Sequence, residues 1–153
     1  MLTFFQYNWQ VRDEWLQWCR QLSREELVKE RAGGVKSFLY TFFHIIDVEY
    51  SWIRGIQEKE DIALEFTDDV TIEQLQALSD EARLEMEAFL RTSGNNTADA
   101  PVKVAWDEAS YTKNEILHHV IAHEIHHIGQ LSVWARELNL KPVSANVIGR
   151  KLY

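Results

Sequence analysis

The chain has 153 residues, 46% hydrophobic and 12% aromatic, which is enough apolar material for one domain over 1–153 with a substantial core and excludes a disordered chain. Its formal charge of −8, without a Lys/Arg stripe, argues against nucleic acid or an anionic membrane as a partner. Cys19 stands alone and cannot form an internal disulfide, and no apolar run approaches the roughly 20 residues of a membrane span, so a cytoplasmic protein is expected.

The opening MLTFFQYNWQVRDEW has neither a basic lead nor a small-residue cleavage site and is expected to belong to the mature protein. It begins a helix over Leu2–Gln21, in which Phe5, Trp9, Val11, Trp15, Leu16, Cys19 and Leu22 recur near the helical period. SREE at 23–26 fits a capping box opening a short extra helix, and Gly33-Gly34 then breaks the chain. From Val35 to Ile56 a second long helix is apolar around much of its girth, which predicts a central position. A polar connector leads to a second capping box, Thr71 with Gln74, and a third long helix reaching Arg91. SGNNTADAP, 93–101, reads as a loop, and VKVAW alternates like a short strand without a visible partner. TKNE at 112–115 caps the fourth long helix, which runs to Leu138 before Asn139 and Pro142 end it. The expected fold is all-α, a four-helix bundle, with periodicity unable to decide between an up-down order and crossovers.

The fourth helix holds five of the six histidines, within HHVIAHEIHHIGQ. At about 100° per residue, His123 and His127 lie about 40° apart on one stripe, the i, i+4 spacing that brings two imidazoles to one cation. His119 extends that stripe, while His118 and His126 diverge and read as surface or structural residues. The sixth, His44, sits in the apolar segment FFHIIDVEYSW, where a polar ring needs a reason for burial. Two imidazoles from one helix and one from another give a three-nitrogen metal site of His44, His123 and His127, with a position left for water or substrate. Asp47 and Gln130 are candidates to orient a ligand or the bound molecule. HEIHH also satisfies H-E-x-x-H, in which Glu124 would be a general base, but the downstream ligand of that peptidase pattern is missing: Val133 stands where the longer form has His. Glu124 is therefore expected to make a salt bridge or hydrogen bond as readily as to act in chemistry. Glu49, about 140° around its helix from His44, is expected in a helix–helix salt bridge.

The stretch His44-x4-Glu49-x2-Trp52, together with HVIAHEIHHIGQL, the early YNW and the Gly-Gly entry to the second helix, resembles the DinB/YfiT-like family over nearly the whole chain. The family's final motif commonly reads HRGQ, and Ile128 replaces the Arg here. The resemblance implies a four-helix bundle, frequently a homodimer, with a divalent metal on the residues matching His44, His123 and His127. It also implies relatedness to thiol S-transferases that use bacillithiol or mycothiol. The expected function is thus a divalent-metal enzyme, with zinc or nickel as the ion and a small-molecule thiol or electrophile as substrate. The alternatives are a metal-dependent hydrolase and a non-catalytic metal-binding stress-response module.

Overall fold

A computed structural model describes residues 1–93 and 101–153. Four long helices carry the fold: α1 (Leu2–Cys19), α3 (Phe38–Ile56), α4 (Ile72–Ser93) and α5 (Lys113–Glu137). The short α2 (Arg24–Val28) follows α1, and a hairpin of β1 (Val102–Val104) and β2 (Asp107–Tyr111) precedes α5. No helix among the described residues is long and apolar enough to cross a membrane.

The expected caps are present, with one correction. Thr71 with Gln74 and Thr112 with Glu115 form complete boxes, each side chain bonding the other's backbone N–H. Ser23 accepts from the Glu26 N–H, but the Glu26 carboxylate is drawn to Arg31, so only half of that box forms. The second long helix starts at Phe38 rather than Val35 because Lys36 adopts φ 58 and Ser37 is its N-cap, accepting from the Tyr40 N–H. Asn139 ends α5 in the left-handed region at φ 57.

The principal packing joins α3 to α4 and α5, and α1 to α4 and α5. Around the bundle the order is therefore α1, α4, α3, α5, and the connections from α1 to α3 and from α4 to α5 both cross a diagonal. The first crossing carries α2; the second carries the hairpin. VKVAW does have a partner, contrary to the expectation: β1 pairs antiparallel with β2, with a register shift between Lys103 and Val104. Only β1 faces the core, through Val102 and Val104, whereas DEASY is exposed along most of its length and shows no apolar alternation to betray a strand. Of the loop expected over 93–101, the residues after Ser93 and before Pro101 lie outside the described part.

Two apolar clusters fill the bundle. One gathers Trp15, Leu16, Phe38, Phe42, Leu75, Leu131 and Trp134; the other gathers Phe5, Trp9, Ile53, Met86, Ile116 and Val120. Between them, at the middle of the helices, lie the polar residues from which the site is built.

Candidate metal centre

The Ser37 cap fixes where α3 begins and so places His44 on its second turn. The His44 ring lies parallel to that of Tyr40, one turn earlier, at 6.3 Å, and Tyr40 is held edge-on by Phe66 of the α3–α4 connector. From α5, His123 and His127 reach toward the same point. The Nε2 atoms of His44 and His123 are 3.0 Å apart, and those of His123 and His127 are 3.1 Å apart. One ligand atom from each of the three rings lies within 4.8 Å of the others, so the structure brings together the residues that the sequence singled out.

Burial lowers the pKa of all three rings, and their mutual repulsion adds to the effect for His44 and His123. His123, at the centre, falls furthest, to about 3. The rings are therefore neutral at pH 7, and each turns its Nε2 toward the shared point. Two imidazole nitrogens at 3.0 Å repel unless a proton or a cation lies between them, and the His123 nitrogen faces two such neighbours at once. A shared cation resolves the conflict. Tetrahedral bonds of about 2.0–2.1 Å to zinc place neighbouring nitrogens about 3.3–3.4 Å apart, a few tenths of an ångström beyond the spacing seen. The three rings fit a divalent ion.

Gln130 supports the arrangement. Its Oε1 lies 2.7 Å from His127 Nδ1 and its Nε2 lies 2.9 Å from His126 Nε2. An amide oxygen only accepts, so Nδ1 of His127 carries the proton and its Nε2 lone pair faces the cluster. Gly34 leaves room for this contact. A Cβ there would stand 3.0 Å from Gln130 Oε1 and 2.5 Å from Trp134, whose indole N–H is tied to the Ala32 carbonyl at 2.8 Å.

The other sequence candidates go elsewhere. Asp47 is half-buried and makes no hydrogen bond or ion pair among the described residues; burial, with Asp61 nearby, raises its pKa. Glu124 turns into the bundle, where Arg12 grips both of its oxygens, Nε at 2.8 Å and an Nη at 2.7 Å. The same guanidinium meets Glu49 at 3.0 Å and donates to Ser79 Oγ at 3.0 Å, while the Trp9 indole N–H donates to Glu49. Every residue of this second cluster is fully or almost fully buried. The helix–helix salt bridge expected of Glu49 is there, and its partner is Arg12. The sequence signal for Arg12 was a charge within the apolar stripe of α1, between Val11 and Trp15. His119 lies beside the trio, with its ring 5.7 Å from that of His123 and edge-on to Trp52 at 5.8 Å. His118 is exposed and bonds the Asn114 carbonyl.

The sequence model of the DinB family matches residues 1–151. The chain is 60% identical over 153 residues to the uncharacterized protein YizA of Bacillus subtilis (strain 168), an alignment that covers 99% of this chain and 96% of that protein.

Proposed function

The chain belongs to the DinB family, and we propose that it is a divalent-metal enzyme in which His44, His123 and His127 hold zinc or nickel and a low-molecular-weight thiol is transferred to an electrophile. The observation that carries this reading is the convergence of three neutral imidazole nitrogens at the α3–α5 seam, where His44 and His123 are only half-buried. Nitrogen-only donors suit zinc and nickel, and three protein ligands leave room for an exchangeable molecule, unlike the closed, thiolate-rich sets typical of structural zinc. Such an ion supplies Lewis-acid stabilisation of a thiolate at neutral pH.

The residues of the chain do the rest. Gln130 holds His127 in the tautomer whose lone pair faces the cluster, and Tyr40 fixes the plane of His44. Neither Glu124 nor Glu49 reaches the site, because Arg12 holds both inside the bundle, so no carboxylate base is assigned to the reaction. With a chlorinated aromatic acceptor, the thiol loses its proton to solvent, sulfur bonds to the ring carbon, and chloride leaves with the electron pair of the broken C–Cl bond. We extend the same reading to a cytoplasmic homodimer. Met1, Phe4 and Ile125, each more than 40% exposed, offer apolar surface at the α1–α5 face for the second copy.

Element analysis of tag-free protein identifies the ion. Incubation of the loaded protein with bacillithiol and 1-chloro-2,4-dinitrobenzene is expected to give the conjugate above the level of a His44→Ala control. Loss of acceptor without conjugate would point to hydrolysis, and no turnover above the control would end the enzyme reading.

A further inference from the structure

A cavity of about 310 Å³ opens beside the trio, lined by Trp52 of α3, Tyr111 of β2, and Glu115, Ile116 and His119 of α5. It is connected to the trio through His119, which lines the cavity and packs near His123. Trp52 is its hub: the rings of Trp106, Tyr111 and His119 stand edge-on to it at 5.4, 5.6 and 5.8 Å. The hairpin can form this wall because residue 55 is glycine; a Cβ there would meet Val104 at 2.7 Å and push the strands off α3. The cavity opens to solvent, since Trp52 and Tyr111 are half-buried and Glu115 and His119 are exposed.

Its chemistry is one-sided. Among the described residues the lining holds no Lys or Arg, while Glu115 contributes a carboxylate and Asp107 accepts a hydrogen bond from the Tyr111 hydroxyl at 2.7 Å. An anionic ligand would meet the Glu115 carboxylate, with Asp107 behind the Tyr111 hydroxyl and no compensating cation among the described lining residues. A flat, uncharged ring meets indole, phenol and imidazole surfaces whose quadrupoles favour stacked or edge-on contact. We propose that this cavity is the acceptor subsite of the metal centre, and that it binds an uncharged aromatic group of the electrophilic substrate. The proposal rests on the metal-enzyme reading above and gives it a substrate class.

Binding of 1,3-dinitrobenzene, an unreactive neutral ring, to protein labelled with 5-fluorotryptophan tests it by ¹⁹F NMR, with resonances assigned by single Trp→Phe variants. The Trp52 and Trp106 signals are expected to shift saturably while those of Trp15 and Trp134 stay in place, and 3-nitrobenzoate should bind at least tenfold more weakly. Trp52→Ala should raise the dissociation constant at least fivefold. His119→Ala, which removes an exposed ring and puts no fold at risk, should raise it about threefold. His44→Ala should leave it within twofold. Equal shifts at all tryptophans, or affinity indifferent to both Trp52 and His119, overturn the subsite. Zinc titration of the same samples separates the two readings: zinc binding without a Trp52 response sinks the subsite alone, and a Trp52 response without zinc binding sinks the metal centre alone.

Discussion

Two polar clusters share the middle of the bundle, and α3 and α5 contribute to both. Toward the interior, Glu49 and Glu124 meet Arg12 with hydrogen bonds from Trp9 and to Ser79. Toward the α3–α5 seam, the Nε2 atoms of His44, His123 and His127 converge, and the Gln130 amide holds the His127 ring. The first cluster is hydrogen-bonded within the chain, one guanidinium serving two carboxylates. The second gathers uncharged ring nitrogens, a donor set suited to a divalent cation. A buried charge network of the first kind ties helices together, whereas a half-exposed set of the second kind is where ligand chemistry is to be sought. The motif HEIHH straddles the division. Its two outer histidines belong to the seam and its glutamate to the interior, because one residue turns the helix by about 100°.

The largest expected effect comes from breaking the interior cluster. Arg12→Ala leaves two carboxylates buried without a cation and should cost about 3–5 kcal/mol of folding stability in urea melts. Replacing the trio together, as Arg12→Met with Glu49→Leu and Glu124→Leu, should recover most of that loss, since the charges then vanish as a set. A cost below about 1 kcal/mol for Arg12→Ala would mean that water, and not Arg12, satisfies the two glutamates.

The seam cluster should respond in the opposite way. His44→Ala is expected to leave metal-free stability within about 1 kcal/mol while reducing zinc affinity by more than the roughly 10–100-fold that loss of an outer partner costs. Competition titration against a chromophoric chelator reads this directly. Gln130→Ala, which frees the His127 ring to change tautomer, should fall within that 10–100-fold range. Unchanged affinity in the His44 variant would remove α3 from the site.

The trio was legible because two periodicities and one chemistry agreed. The i, i+4 pair on α5 shares a stripe whatever the fold, and a histidine in an apolar helix demands a reason. Arg12 was not assigned, since a charge on a core stripe finds meaning only when Glu49 and Glu124 are placed around it. The hairpin escaped for a similar reason: Val102 and Val104 show a pattern because they face α3, and β2 shows none because it faces solvent. Gly34 and Gly55 read as breaks or ordinary helix residues, and their value lies in what approaches them, the Trp134–Gln130 pair and Val104. The diagonal connections are a property of which helices touch, which periodicity within one helix does not encode.

The smallest effect sharpens the comparison through pH. One guanidinium faces two carboxylates, so the interior cluster carries a surplus negative charge; burial first, and repulsion from Glu124, raise the pKa of Glu49 above its ordinary 4.5, against the pull of Arg12. The folded state therefore holds a proton that the unfolded state has released over a window that begins near 4.5 and extends to the raised value. Stability attributable to Glu49 is then greatest at the acidic end of that window and declines as pH rises through it, by at most about 1.4 kcal/mol per pH unit. Unfolding free energies of wild type and Glu49→Gln, measured with chelator present from pH 5 to 8, isolate this contribution, because the histidines are common to both proteins. Wild type should gain on the glutamine variant as pH falls from 8 to 5. If it loses ground instead, Arg12 and Trp9 hold Glu49 fully charged, and the interior cluster behaves as a simple ion pair in which acid only breaks a bond.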